Sequence, residues 1–182
     1  MKIGLGGIKF SEELVHVSHR AVSLSDSSFA DLIGRIAANR INIPFACSGA
    51  YGGEVLSSFC IAAADFSSVE RLLETVPQID GPASTASATG LARCEPLKII
   101  RSVGTLTLFP HRRSLALLGR IVEILCQSPI VIHSLCTSIS ALAINVDYHL
   151  LDLAVEVLDR IIELPEDHAP FRPEFSVRQL SP

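Results

Sequence analysis

One pattern occurs twice along this chain. Leu32-Ile33-Gly34-Arg35-Ile36 returns as Leu117-Leu118-Gly119-Arg120-Ile121, 85 residues later. Gly7-Ile8 leads to Glu12 and Leu14, and Gly90-Leu91 leads to Glu95 and Leu97, at an offset of 83. Asp65 and Asp147, 82 residues apart, each open a helical stretch. A drift of this size is what small loop insertions do to a duplicated unit. A period this long means two copies of one domain, so the fold question shrinks to about 75 residues. A site in one copy should have a counterpart in the other.

The 182 residues are 48% apolar but only 5% aromatic, with no Trp, so the cores must be built from Leu, Ile, Val and Ala. A net charge of −4 argues against a nucleic-acid partner, which demands a basic face. No apolar run approaches the ~18 residues of a membrane span, and the N-terminal apolar stretch is too short for a signal peptide. Five cysteines, Cys47, Cys60, Cys94, Cys126 and Cys136, are an odd number with no metal-like spacing. They read as reduced thiols of a cytoplasmic protein with no metal and no cofactor.

Each copy reads strand, helix, strand, strand, helix. In the first, Leu14 to Leu24 is strand-like and Ser25-Asp26-Ser27-Ser28 supplies N-cap chemistry. Phe29, Leu32, Ile33, Ile36 and Ala37 then form one helical face. Asn42-Ile43-Pro44-Phe45 starts a second strand, glycines 49, 52 and 53 mark a turn, and Val55 to Ala63 is a third strand. Asp65, with a Ser67-x-x-Glu70 capping box, opens a helix whose buried face is Val69, Leu72, Leu73 and Val76. In the second copy Thr105 to Leu108 alternates as a strand, and Leu117, Leu118, Ile121, Val122 and Leu125 form a helical stripe. Ile130-Val131-Ile132 and Leu142 to Val146 are further strands. Leu151, Ala154, Val155, Leu158 and Ile162 carry the last helix. The expected boundaries are residues 1–80 and 90–164, with 81–89 a linker or a weak fourth strand, and a Pro-rich arm over 165–182.

This order predicts an α+β fold: two ferredoxin-like βαββαβ units, antiparallel sheets with helices on one face. Each unit leaves a sheet edge open, so pairing of units and a homodimer are physical expectations.

Three stretches carry a resemblance: Ala38-Asn39-Arg40-Ile41-Asn42-Ile43, the closely spaced hydroxyls of Ser134 to Leu142, and Asp147 to Leu158. Over residues 7 to 164 the chain resembles a tandem of ACT domains of the kind at the regulatory end of aspartokinases. The resemblance implies a stand-alone sensor rather than a catalyst, binding an amino acid or related effector at an interface between units. It places the ligand where the loop after the first strand meets the start of the second. Those loops are Leu24 to Phe29 and Phe109 to Ser114. Where the family carries glycine, this chain has Ser25-Asp26-Ser27-Ser28 and Pro110-His111-Arg112-Arg113.

The candidate ligand residues are therefore Ser25, Asp26, Ser27, Ser28, Asn42, Ile43, His111, Arg112, Arg113 and Ser114. Asp26 suits an α-amino group, and helix amides suit a carboxylate; the plainer alternative is an N-cap only. His111-Arg112-Arg113 at a helix start opposes the helix dipole, so a bound carboxylate or phosphate would relieve it; a solvated or bridging cation pair is the alternative. Asn42 either starts the strand or also reads a ligand.

Enzyme motifs fail. Gly4-x-Gly6-Gly7 leads into a strand, not a helix, so it is no dinucleotide loop. Cys47-Ser48-Gly49 lacks the flanks of a nucleophile elbow. His16 and His19 point to opposite faces of a strand, and His133 and His149 stand isolated. RNA-recognition domains share the element order, but the third strands here lack their aromatic and basic signature. The expected function is an effector-responsive regulator read by a partner protein, the alternative a structural assembly module with decayed ligand loops.

Overall fold

The computed structural model describes residues 2–21, 28–73, 97–109 and 115–172. Its elements are β1 (Ile3–Gly4), β2 (Gly7–Phe10), β3 (Leu14–Ala21), α1 (Ser28–Ala38), β4 (Phe45–Tyr51), β5 (Glu54–Ala62), α2 (Phe66–Leu73), β6 (Lys98–Phe109), α3 (Leu115–Cys126), β7 (Ser134–Thr137), β8 (Leu142–Asp147), α4 (Leu151–Leu158) and β9 (Ile162–Glu163). Contacts divide the chain into a contiguous unit, Val15–Arg101, and a split unit, Met1–Leu14 with Ser102–Pro182.

In the contiguous unit the strands lie in the order β4–β5–β3, with the start of β6 beside β3. Val15 and Val17 on β3, and Phe59 and Ile61 on β5, are alternate positions and share one face. Leu32 and Ile36, four apart on α1, meet them, as do Phe66, Val69 and Leu73 on α2. The β4–β5 hairpin runs from Phe45↔Cys60 to Tyr51↔Glu54. Gly52 and Gly53 close it at φ 60° and 87°, the left-handed pair that a tight two-residue hairpin turn requires. Gly49 lies inside β4 rather than in the turn.

In the split unit β6 pairs antiparallel with β8 from Val103↔Asp147 to Leu108↔Leu142, and β7 lies on the outer side of β8. The other side of β6 is taken by β2, from Gly7↔Phe109 to Phe10↔Leu106. Ile8, Leu106, Leu108, Leu142, Ile144 and Val146 form the strand side of the core, beneath α3 and α4. At Gly104 a Cβ would sit 2.6 Å from Leu151 Cδ1 and 3.1 Å from Tyr148 Cδ2, so only glycine lets α4 start this close to the sheet.

Both units thus have the ferredoxin-like architecture, an antiparallel sheet with two helices on one face. The expected boundaries at 80 and 90 are corrected. Leu97 packs on the contiguous core, and β6 begins within that unit before crossing to the other at Ser102, whose φ is 57°. The fourth strand of the split unit is β2, from the opposite end of the sequence. The reason is hydrogen bonding: a strand belongs where its amides and carbonyls are paired, and those of β2 pair with β6.

Local corrections follow the same logic. The second strand of the first copy starts at Phe45, not Asn42, and Ile130 to Ile132 precede β7 rather than forming it. Helix α4 stops at Leu158, and Ile162 lies on β9, parallel to β1 through Ile3↔Ile162. Ser67 is the second residue inside α2, so it cannot cap it; Glu70 binds Arg101 at 3.1 Å instead. Val76, the proposed linker 81–89, and residues 173–182 of the arm lie outside the described residues, whereas residues 165–172 fold back onto the split unit.

Candidate effector site

Of the ten expected ligand residues, Ser25, Asp26, Ser27, His111, Arg112, Arg113 and Ser114 lie outside the described residues, and Ser28 is described only as the first residue of α1. Asn42 and Ile43 can be placed. Helix α1 ends with Arg40 N–H donating to the Ala37 carbonyl (2.9 Å) and Ile41 N–H to the Ile36 carbonyl (3.3 Å), with Arg40 at φ 57°. This left-handed ending turns the chain sharply toward β4. Ile43 packs against the contiguous core, and Asn42, its neighbour, is exposed. The passage therefore anchors one residue and presents the other to solvent.

The strand that follows is the edge of its sheet. From Ile41 to Gly53 the sequence holds no charged residue. Tyr51 and Leu56, near the hairpin tip, are 84% and 52% exposed. An uncharged edge beside exposed apolar side chains lacks the usual guards against pairing with another strand. Ser48 and Ser57 hydroxyls meet across the hairpin at 2.8 Å, and Arg20 donates to Glu54 Oε2 through Nε (2.9 Å) and Nη2 (2.6 Å). Cys47 sits in register with Ser58 on β4, in a strand rather than on an elbow. Burial pushes the neighbouring Cys60 thiol up to about 12, so it stays protonated and inert.

The equivalent region of the split unit carries polar chemistry that the sequence reading missed. The Thr105 hydroxyl donates to Asn145 Oδ1 (2.5 Å), and Asn145 Nδ2 donates to Ser134 Oγ (2.7 Å). Ser11 extends the row: its hydroxyl accepts from Thr105 N–H at 2.8 Å, and its N–H donates to the Thr105 carbonyl at 3.0 Å. Asn145 is fully buried. Its neighbours Ile144 and Val146 belong to the helix-facing core, so alternation puts Asn145 on the other face, and periodicity alone gives no sign that this face is dry. His133, expected to be isolated, bonds Asp147 through Nε2 at 2.9 Å. Asp147 spends its carboxylate there and makes no helix cap. From Ile124 to Val146 there is again no Asp, Glu, Lys or Arg, and Val131 and Ile139 flank edge strand β7 at 59% and 75% exposure.

A surface cavity of about 480 Å³ opens elsewhere in the split unit, between the end of α4, β9 and residues 165–171. It contains none of the expected ligand residues. Among the described residues no cluster of His, Cys, Asp and Glu has the arrangement of a metal site, and no helix is long and apolar enough to cross a membrane.

No family model matches the sequence, and no curated protein matches it. The structure is similar to solved ones. A structure of aspartokinase alpha and beta subunits superposes with a TM-score of 0.64 at 18% identity, over 86% of this chain and 97% of that one. The regulatory subunit of aspartate kinase from Thermus flavus gives 0.64 at 8% identity, with 86% and 97% covered. E. coli aspartokinase III, in complex with lysine and aspartate, gives 0.54 at 12% identity, covering 87% of this chain and 33% of that one. At these identities the match is one of fold: the chain has the ACT-type fold of aspartokinase regulatory domains.

Proposed function

We propose that this protein is a non-catalytic regulatory module that binds an amino acid at an interface between ACT-like units, and that the bound effector favours one arrangement of the paired sheets. The observation that carries this reading is the coverage of the fold match: nearly the whole of a regulatory subunit corresponds to nearly the whole of this chain. The lysine complex named for the E. coli enzyme supports an amino acid as the ligand class. The exposed side chain of Asn42, beside the uncharged edge β4, suits a site completed by a second copy. A homodimer through that edge, and a partner protein that reads it, belong to the same proposal. Ser25 to Ser28 and His111 to Ser114 are the proposed contacts for the amino and carboxylate groups.

The uncharged edges equally support the alternative, an assembly module without a ligand. Thermal unfolding against the twenty amino acids and several phosphorylated metabolites at millimolar concentration separates the two. A ligand that binds only the native state raises the midpoint by mass action. One hit that Asp26→Ala or Arg112→Ala abolishes establishes the sensor; a flat panel from a folded, self-associating protein establishes the assembly module.

A further inference from the structure

The cavity of about 480 Å³ in the split unit is lined by the end of α4, β9, residues 165–171 and Lys2 from the N-terminus. Part of its lining is apolar. Val155, Leu164 and Phe171 border the space and also pack against the core of the unit. The Phe171 ring stacks on His168, with centroids 5.0 Å apart and planes 7° from parallel. A wall anchored in this way is preformed, as small-molecule sites usually are, and the volume is within the range of such sites.

The polar part of the lining is mostly acidic. Asp159 takes Lys2 Nζ at 3.2 Å, which neutralises that pair. Glu156, Glu163 and Glu166 line the same cavity, and among the described residues none of the three has an ion-pair partner. His168 Nδ1 bonds the Ala169 carbonyl at 3.0 Å, so Nδ1 carries a proton and the neutral ring keeps Nε2 as an acceptor. Carboxylates alone would form only a solvated patch. Around an apolar wall they attract a cation to a place where its body is covered as well. Among the described residues no group of three His, Cys, Asp or Glu side chains could hold a metal ion, so these carboxylates do not converge on one point. An α-amino acid would bring its own carboxylate against three others, with the one lysine already taken by Asp159.

We propose that this cavity binds an aliphatic diamine or polyamine, its ammonium groups on the carboxylates and its methylene chain along Val155, Leu164 and Phe171. Such a molecule carries separated positive charges on an apolar chain, the complement of separated carboxylates around an apolar wall. Charge draws the amine in and is weakened by salt, whereas the methylene contact is not. Lys2 is the protein's own competitor: its ammonium occupies one carboxylate of the lining, and its removal frees Asp159 as a fourth. The site belongs to the split unit alone, uses none of the expected effector residues, and stands apart from the effector reading.

Titration of the isotopically labelled full chain with diaminohexane, followed by amide shifts, tests it. Saturable shifts are expected at Val155, Glu163, Leu164 and His168, which line the cavity. Diaminopropane, with the same charge on a shorter chain, should bind roughly threefold or more weakly. Magnesium ion, with the same charge and no chain, should not displace diaminohexane at equal concentration. Glu156→Gln, Glu163→Gln and Glu166→Gln should each weaken binding roughly two- to fivefold, and Lys2→Gln should tighten it. Glu123→Gln, an equal change of charge at an exposed position of α3 outside the cavity, should leave the affinity unchanged. All five positions are exposed, so the variants keep the fold. The absence of saturable shifts, equal binding of the two diamines, displacement by magnesium, or an equal loss at Glu123 and the cavity glutamates overturns the proposal.

Discussion

The two copies use the same parts and are completed differently. The contiguous unit takes its fourth strand from the next stretch of chain, the start of β6. The split unit uses the rest of β6 as its own first strand and takes its fourth from the N-terminus. One strand thus ends one unit and begins the other, and the first residues of the sequence finish the unit that the last residues build. The difference extends to the polar groups. The contiguous hairpin carries one part-buried hydroxyl pair, Ser48 with Ser57, whereas the split unit carries a row from Ser11 through Thr105 and Asn145 to Ser134 that is buried at its centre and part-buried at its ends. Both units bury polar groups, His16, His19 and Ser57 in one and Thr105 and Asn145 in the other; what differs is that the same repeat can be closed by the following stretch of chain or by a strand from the opposite end of the sequence.

The largest effects should come where the copies are equivalent. Ile36 and Ile121 close the repeated motif and are both fully buried. Replacing either with Ala should cost about 2–5 kcal/mol in denaturant unfolding, and a loss at only one of them would break the equivalence. Next come positions where the copies differ. Gly104→Val drives a side chain into Leu151 and should cost about 1–3 kcal/mol. Asn145→Ala removes the bonds to Thr105 and Ser134 at a fully buried position and should cost about 1–3 kcal/mol, whereas Ser48→Ala should cost about 1 kcal/mol or less. Equal costs would show that the row contributes no more to its unit than the hydroxyl pair does to the other.

Smaller effects sharpen the picture. Gly34 and Gly119, the repeated helix glycines, have open space where a Cβ would go, so Gly→Ala at either should stabilise by about 0.5–1 kcal/mol. A penalty at one would reveal a contact its twin lacks. The smallest effect is the pH dependence of the Arg172–Asp152 pair, which bonds at 2.8 Å. The hydrogen bond from Arg172 holds the Asp152 carboxyl below its ordinary 3.8. A lowered folded value means the pair contributes fully above 3.8 and is lost as pH falls through the lowered value. The midpoint difference between the native chain and Arg172→Ala should be constant near neutrality and vanish in acid. With both groups largely exposed, it should be small throughout.

Much of each unit was legible. The period of Leu32, Ile33 and Ile36 and of Leu117, Leu118 and Ile121 specifies both first helices, because an apolar stripe at helical spacing has one way to be buried. Alternation over Leu142, Ile144 and Val146 specifies β8 in the same manner. The ligand loops were proposed from resemblance, and of their residues only Asn42 and Ile43 have described side chains, one exposed and one anchored. The bonds of Asn145 and the partner of His133 were not legible. They join residues 40, 11 and 14 positions apart, and no local pattern distinguishes a polar strand residue facing water from one facing another strand.

The sequence by itself determined that there are two units and which helices and most strands they contain, because these follow from local periodicity and composition. Tertiary structure alone decided which strands lie at the sheet edges, which strand completes which unit and where the N-terminus goes. Gly7 to Phe10 would alternate equally well beside any strand. Its place beside β6 is a matter of backbone pairing across about a hundred residues, and such pairing leaves no trace in the spacing of side chains.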